Sequence, residues 1–103
     1  MKTMKLLLAS LLALAIHPVY AADPIKIGAV ISRTGPAAFL GEPQEITLKH
    51  YVGEINKSGG VLGRPLELVI YDDTSDANTT RTFATRLIEE DKVVAAKIGR
   101  AHV

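Results

Sequence analysis

A chain of 103 residues with a formal net charge of +1 holds at most one small domain. It contains no cysteine, which excludes disulfides, thiolate metal sites, a cysteine nucleophile and a lipid anchor on a cysteine. Residues 22–96 carry 8 Lys and Arg against 11 Asp and Glu, a net charge of −3 with no basic run, and so offer nothing for a nucleic-acid backbone to bind.

Lys2 and Lys5 open the chain with positive charge, residues 6–16 form an uncharged apolar run, Pro18 breaks it, and Val19-Tyr20-Ala21 fits a small-x-small cleavage pattern. The run falls short of the roughly 18 apolar residues needed to span a bilayer. Residues 1–21 are therefore expected to be a signal peptide, cleaved after Ala21 or Ala22, that releases a soluble product.

The segment Ile25-Lys26-Ile27-Gly28-Ala29-Val30-Ile31 alternates at first and then becomes continuously apolar, as a strand covered on both faces does. Gly35 and Pro36 break regular structure after it, and a loop is expected as far as Gly41. Glu42 and Glu45 then place negative charge in the first turn of a helix, with Pro43 at a tolerated position and Leu48, Tyr51, Val52 and Ile55 on the buried face. Asn56-Lys57-Ser58-Gly59-Gly60 ends that helix. Gly63-Arg64-Pro65 turns the chain into a second strand at 66–71, followed by a polar loop at 72–76 in which Ser75 or Asp76 caps the next helix.

That second helix is expected at 77–90, with Ala77, Thr80, Phe83, Ala84, Leu87 and Ile88 inward. Val93-Val94-Ala95 begins a third strand. Strands and helices alternating over short connections give the fold class: α/β, the start of a parallel open β-α-β-α-β sheet, incomplete. After Ala96 the apolar pattern stops at Lys97, where a cation in a parallel strand is costly unless paired. One back-translation of Ile98-Gly99-Arg100-Ala101-His102-Val103, ATC GGA AGA GCA CAC GTC, matches a common short-read sequencing adapter. Residues 22–96 are accordingly expected to be the authentic, truncated domain, and residues 97–103 a non-native adapter-derived tail.

The chemistry-bearing candidates are few. Thr34-Gly35-Pro36-Ala37-Ala38-Phe39-Leu40-Gly41 joins the carboxyl end of the first strand to the first helix, the end at which open α/β sheets bind ligands. Its glycines do not follow G-x-G-x-x-G, and no G-K-[ST] follows for a phosphate loop. Gly59, Gly60 and Gly63 lie after a helix, at the wrong pole of its dipole for phosphate. Asp72, Asp73 and Asp76 lack calcium-loop spacing and read as solvated or helix-capping groups. His17, His50 and His102 share no metal-ligand spacing, and Ser32, Thr34 and Ser58 have no His and Asp companions. No catalytic constellation, metal site or cofactor is expected.

The stretches Ile25-Lys26-Ile27-Gly28, residues 34–41, Glu54-Ile55-Asn56 with residues 59–68, Tyr71-Asp72-Asp73 and residues 87–94 together resemble the periplasmic leucine-binding-like family, the type I solute-binding proteins of branched-chain amino acid ABC importers. The resemblance covers residues 25–95. It implies two lobes closing on a small solute, delivery to an inner-membrane ABC permease, a periplasmic location and no enzymatic activity. It also implies a cleft-facing loop at Thr34, Gly35, Phe39 and Leu40. The position of Leu40 often carries an aromatic ring in branched-chain amino acid binders of the family. Here the pair is Phe39-Leu40, as in relatives that look like binders of aromatic acids or amides, so the implied solute is a (branched-chain) amino acid or, alternatively, an aromatic carboxylate or amide. A secreted α/β enzyme with its catalytic groups elsewhere is the reading from a different class.

Overall fold

The computed structural model describes residues 23–99; the expected leader, its cleavage position and residues 100–103 of the expected tail lie outside them. The described elements are β1 (Ile25–Ile31), α1 (Ala38–Lys57), β2 (Leu66–Asp72), α2 (Ala77–Glu89) and β3 (Ala95–Ile98). The three strands form one parallel sheet in the order β2-β1-β3. The two crossovers therefore run in opposite directions across the sheet: the first steps outward from β1 to β2, and the second steps back over β1 to β3. Two right-handed crossovers in opposite directions require helices on opposite faces. Leu68 and Ile70 accordingly line one groove with Val52 and Gly53 of α1, while Tyr71 stacks on Phe83 of α2 with ring centroids 4.6 Å apart.

As the central strand, β1 is covered on both faces, and Ala29, Val30 and Ile31 are fully buried. This explains why its second half is an unbroken apolar run. Leu87 of α2 is the matching buried side chain, and it seats over Gly28: a Cβ there would stand 2.7 Å from Leu87 Cδ2. Full burial of one such leucine contributes about 1.5–3 kcal/mol.

Three sequence expectations shift. Helix α1 begins at Ala38, four residues before Glu42, so Phe39, Leu40 and Gly41 are helical rather than loop, and the first turn carries no acidic residue. The early start is held by Ala38 N–H donating to Gly35 O (3.0 Å) and by Leu40 and Gly41 N–H donating to Ala37 O (2.9 and 3.2 Å). Pro43 consequently lies inside the helix, where it removes the bond to the Phe39 carbonyl. Glu45 pairs instead with Lys49 (2.8 Å) and Arg33 (3.4 Å). Tyr51, Ile55, Ala77 and Ile88, expected inward, are exposed.

The third strand begins at Ala95, two residues later than expected: Val93 N–H turns back to Leu87 O (3.1 Å), and Val94 N–H makes the first bond to β1, at Lys26 O (2.9 Å). It then runs through Lys97, opposite Ala29, to Ile98, opposite Val30. Lys97 is accommodated in a strand because its side chain is exposed on the α1 face, where Nζ reaches Gln44 Oε1 (3.3 Å) and Gly99 O (3.1 Å).

The end of α1 is stitched to the start of β2 by one side chain. Asn56 accepts from Leu66 N–H at Oδ1 (2.7 Å) and donates from Nδ2 to Leu66 O (2.9 Å), as a neighbouring strand would. Replacing it with leucine removes both bonds at about 1 kcal/mol each. Urea unfolding of Asn56→Leu is expected to show a loss of roughly 2 kcal/mol, with faster amide exchange at Leu66. Unchanged exchange at Leu66 would contradict this stitch.

Candidate functional site

Parallel strands deliver their carboxyl ends to a single edge, which gathers residues 32–37 after β1, residues 73–76 after β2 and Gly99 after β3. Because the two crossovers run in opposite directions and deliver β2 and β3 to opposite sides of β1, the crevice of this edge falls between β1 and β3, at the topological switch point where open sheets take ligands.

The first two loops are fastened together by two adjacent carboxylates. Asp72 Oδ1 accepts from the N–H groups of Arg33 (2.9 Å), Thr34 (3.2 Å) and Thr74 (2.9 Å), and Oδ2 accepts from the Thr34 hydroxyl (2.7 Å). Asp73, only 3% exposed, accepts from the Ser32 hydroxyl (2.7 Å) and Ser75 N–H (2.9 Å) at Oδ1 and from the Thr80 hydroxyl (2.6 Å) at Oδ2. Ser75 completes the junction by accepting from Ala37 N–H (3.0 Å) and donating to Thr34 O (2.8 Å). The sequence reading of these aspartates as solvated or capping groups holds only for Asp76, whose Oδ1 accepts from Thr79 N–H (2.8 Å) at the start of α2. Asp72 and Asp73 are clasps between loops. The available signal was two carboxylates at a strand end facing a Ser- and Thr-bearing loop, which local spacing alone does not assign to a long-range partner.

Burial of Asp72 works against its charge, yet the N–H of Thr74, the Thr34 hydroxyl and the N–H groups of Arg33 and Thr34 outweigh it and hold the carboxyl below its ordinary value of 3.8. A lowered folded-state pKa means that the clasp contributes stability above that ordinary value and loses it as pH falls through the lowered one. The protection of the Thr34 amide against exchange is expected to hold on acidification to about pH 4 and to fall only below it. Release of Thr34 between pH 5 and 7 would show that Asp72 does not hold it.

The four residues expected at the cleft separate into two pairs. Thr34 has its hydroxyl, N–H and carbonyl all engaged by Asp72 and Ser75. Gly35 adopts φ +86°, and a Cβ there would meet Thr74 O at 2.7 Å and Ser75 Oγ at 2.8 Å, so the turn requires glycine. Phe39 is 72% exposed on the outward side of α1. Leu40, 37% exposed, stands one turn before Gln44, whose side chain reaches Lys97 on β3. Leu40 thus lies on the side of α1 that borders the β1/β3 crevice. Two open grooves flank α1 rather than this edge. One, ≈ 470 Å³, runs along β2 beneath Arg33, Glu45 and Lys49, and the other, ≈ 270 Å³, lies between Leu48 and Lys97. No helix among the described residues is long and apolar enough to cross a membrane.

Comparison with known proteins gives a consistent family. A family described as periplasmic binding protein matches residues 24–98. The Leu/Ile/Val-binding protein of Escherichia coli strain K12 is 33% identical over 86 residues, covering 84% of this chain and 23% of that protein. Among solved structures, a branched-chain amino acid transporter substrate binding protein of Streptococcus pneumoniae in complex with isoleucine superposes with a TM-score of 0.70 at 32% identity, over 71% of this chain and 21% of that one. A solute binding protein of an ABC transporter from Rhodopseudomonas palustris BisB5, in complex with 3,4-dihydroxy benzoic acid, superposes with a TM-score of 0.62 at 31% identity, over 72% of this chain and 20% of that one. The chain thus spans about a quarter or less of the length of these relatives, and its β-α-β-α-β unit is the opening of a type I periplasmic binding protein lobe.

Proposed function

The chain belongs to the periplasmic binding protein family, and on that premise we propose that its β1 exit loop and the first turn of α1 form one wall of a solute cleft in the receptor of an ABC importer. The observation that carries this reading is the position of residues 32–41 at the carboxyl edge, beside the β1/β3 switch point. The receptor works in the periplasm after the leader is cut behind Ala21 or Ala22. It passes its solute to an inner-membrane permease and catalyses nothing itself; capture is by closure of two lobes.

The solute is a small polar molecule, and the relatives that bind leucine, isoleucine and valine favour a branched-chain amino acid. Leu40 supports a second reading. It gives the wall a flexible aliphatic surface in place of an aromatic face, and a neighbour of similar fold holds an aromatic acid.

The test is a chimera in which residues 24–98 replace the matching stretch of the Escherichia coli Leu/Ile/Val-binding protein, titrated calorimetrically with isoleucine and with 3,4-dihydroxybenzoate. Saturable binding of isoleucine supports the amino-acid reading, and binding of the aromatic acid alone moves the assignment to the second. A folded chimera that binds neither would overturn the proposal.

A further inference from the structure

On the reading that this edge captures a solute, we propose that Asp72 is a positioning residue for capture: its carboxylate ties the β1 exit loop back toward β2, removes Thr34 from the solute-contacting set and holds the loop as a preformed wall of the β1/β3 crevice before any solute arrives. Four donors converge on this one side chain, three of them from Arg33 and Thr34. All three bonds from that loop run toward the end of β2, the strand on the far side of β1 from β3. The Thr34 carbonyl accepts from Ser75 on the same side, so the hydroxyl, N–H and carbonyl of Thr34 each already have a partner within the protein. Asp72 makes its own backbone turn rigid as well, through Thr74 N–H two residues on. The loop is thus held by bonds within the protein rather than ordered by the ligand, which lowers the entropy lost on binding.

Two measurements separate this inference from the reading it rests on. In the 103-residue chain, Asp72→Ala is expected to speed amide exchange at Arg33 and Thr34 by about tenfold or more, because bonds to a charged acceptor are lost. Asp72→Asn, which keeps an Oδ1 acceptor for the three N–H groups, is expected to stay within about threefold of the parent. In the chimera, Asp72→Ala is expected to weaken solute binding by about tenfold and Asp72→Asn to restore most of it, while Thr34→Val, which removes one bond of four, costs roughly threefold. The proposal is overturned if Asp72→Ala leaves exchange at Arg33 and Thr34 unchanged, if the asparagine variant behaves like the alanine one, or if Thr34→Val weakens binding as much as Asp72→Ala. A chimera that binds no solute defeats the functional reading, while exchange in the chain still decides whether Asp72 holds the loop.

Discussion

Gly41→Val is expected to cost roughly 3 kcal/mol or more and to disengage the start of α1 from the sheet. Gly41 is the buried residue of the first helical turns, and a Cβ at that position would overlap the Ser32 carbonyl and lie 3.0 Å from Arg33 N. Both obstacles are backbone atoms of the β1 exit, so neither can rotate away. Relief requires moving the helix or the loop, and the loop is fastened to Asp72 and Asp73. Urea unfolding of the chimera should show the full loss. Gly53→Val, at a glycine with nothing within 4 Å of a Cβ, provides the comparison and should shift the midpoint far less. Equal effects of the two substitutions would mean that α1 does not dock on Ser32.

Asp73→Ala should have an effect of similar size for the opposite reason, since it leaves groups unsatisfied rather than crowding them. The buried Ser32 hydroxyl and Ser75 N–H lose their acceptor, and the Thr80 hydroxyl keeps only the Asp76 carbonyl (2.9 Å). Hydrogen bonds to a charged group contribute about 1.5–3 kcal/mol each, so even partial compensation by water leaves a loss of roughly 3 kcal/mol or more. Asp73→Asn keeps an acceptor for Ser32 and Ser75 and can donate to the Thr80 hydroxyl, so its loss should be about half as large. Asparagine and alanine variants of equal stability would show that the bonds do not matter and that only the volume does.

The alternation and continuity of apolar residues in 25–31 and 66–71 made the parallel strands legible, and the glycines at 59 and 60 marked the end of α1. Both signals are local and depend only on backbone and burial. The start of α1 was misread because Glu42 and Pro43 look like first-turn residues, whereas the helix is set by Gly41 docking on Ser32, a contact between elements. Lys97 was read as a break in β3 for a related reason: the rule against a cation in a strand assumes burial, and here the side chain lies exposed beside Gln44.

At the site, Thr34, Gly35, Phe39 and Leu40 were singled out from their place after β1. That place does not distinguish a residue whose polar atoms are turned into the scaffold from one left facing the crevice. The difference lies in Asp72, Asp73 and Ser75, roughly 40 positions away in sequence and adjacent only once β2 has paired beside β1.

The claim that everything else serves is that the carboxyl edge of β1 borders the solute. Nitrogen and methyl chemical shifts of the chimera, followed through saturation with isoleucine, test it residue by residue. Shifts are expected at the Leu40 methyls and at the amides of Gly35, Ala37 and Ala38, with Gly59, Gly60 and Gly63 at the opposite edge unmoved. Shifts confined to those three glycines, on a protein that binds isoleucine, would contradict it.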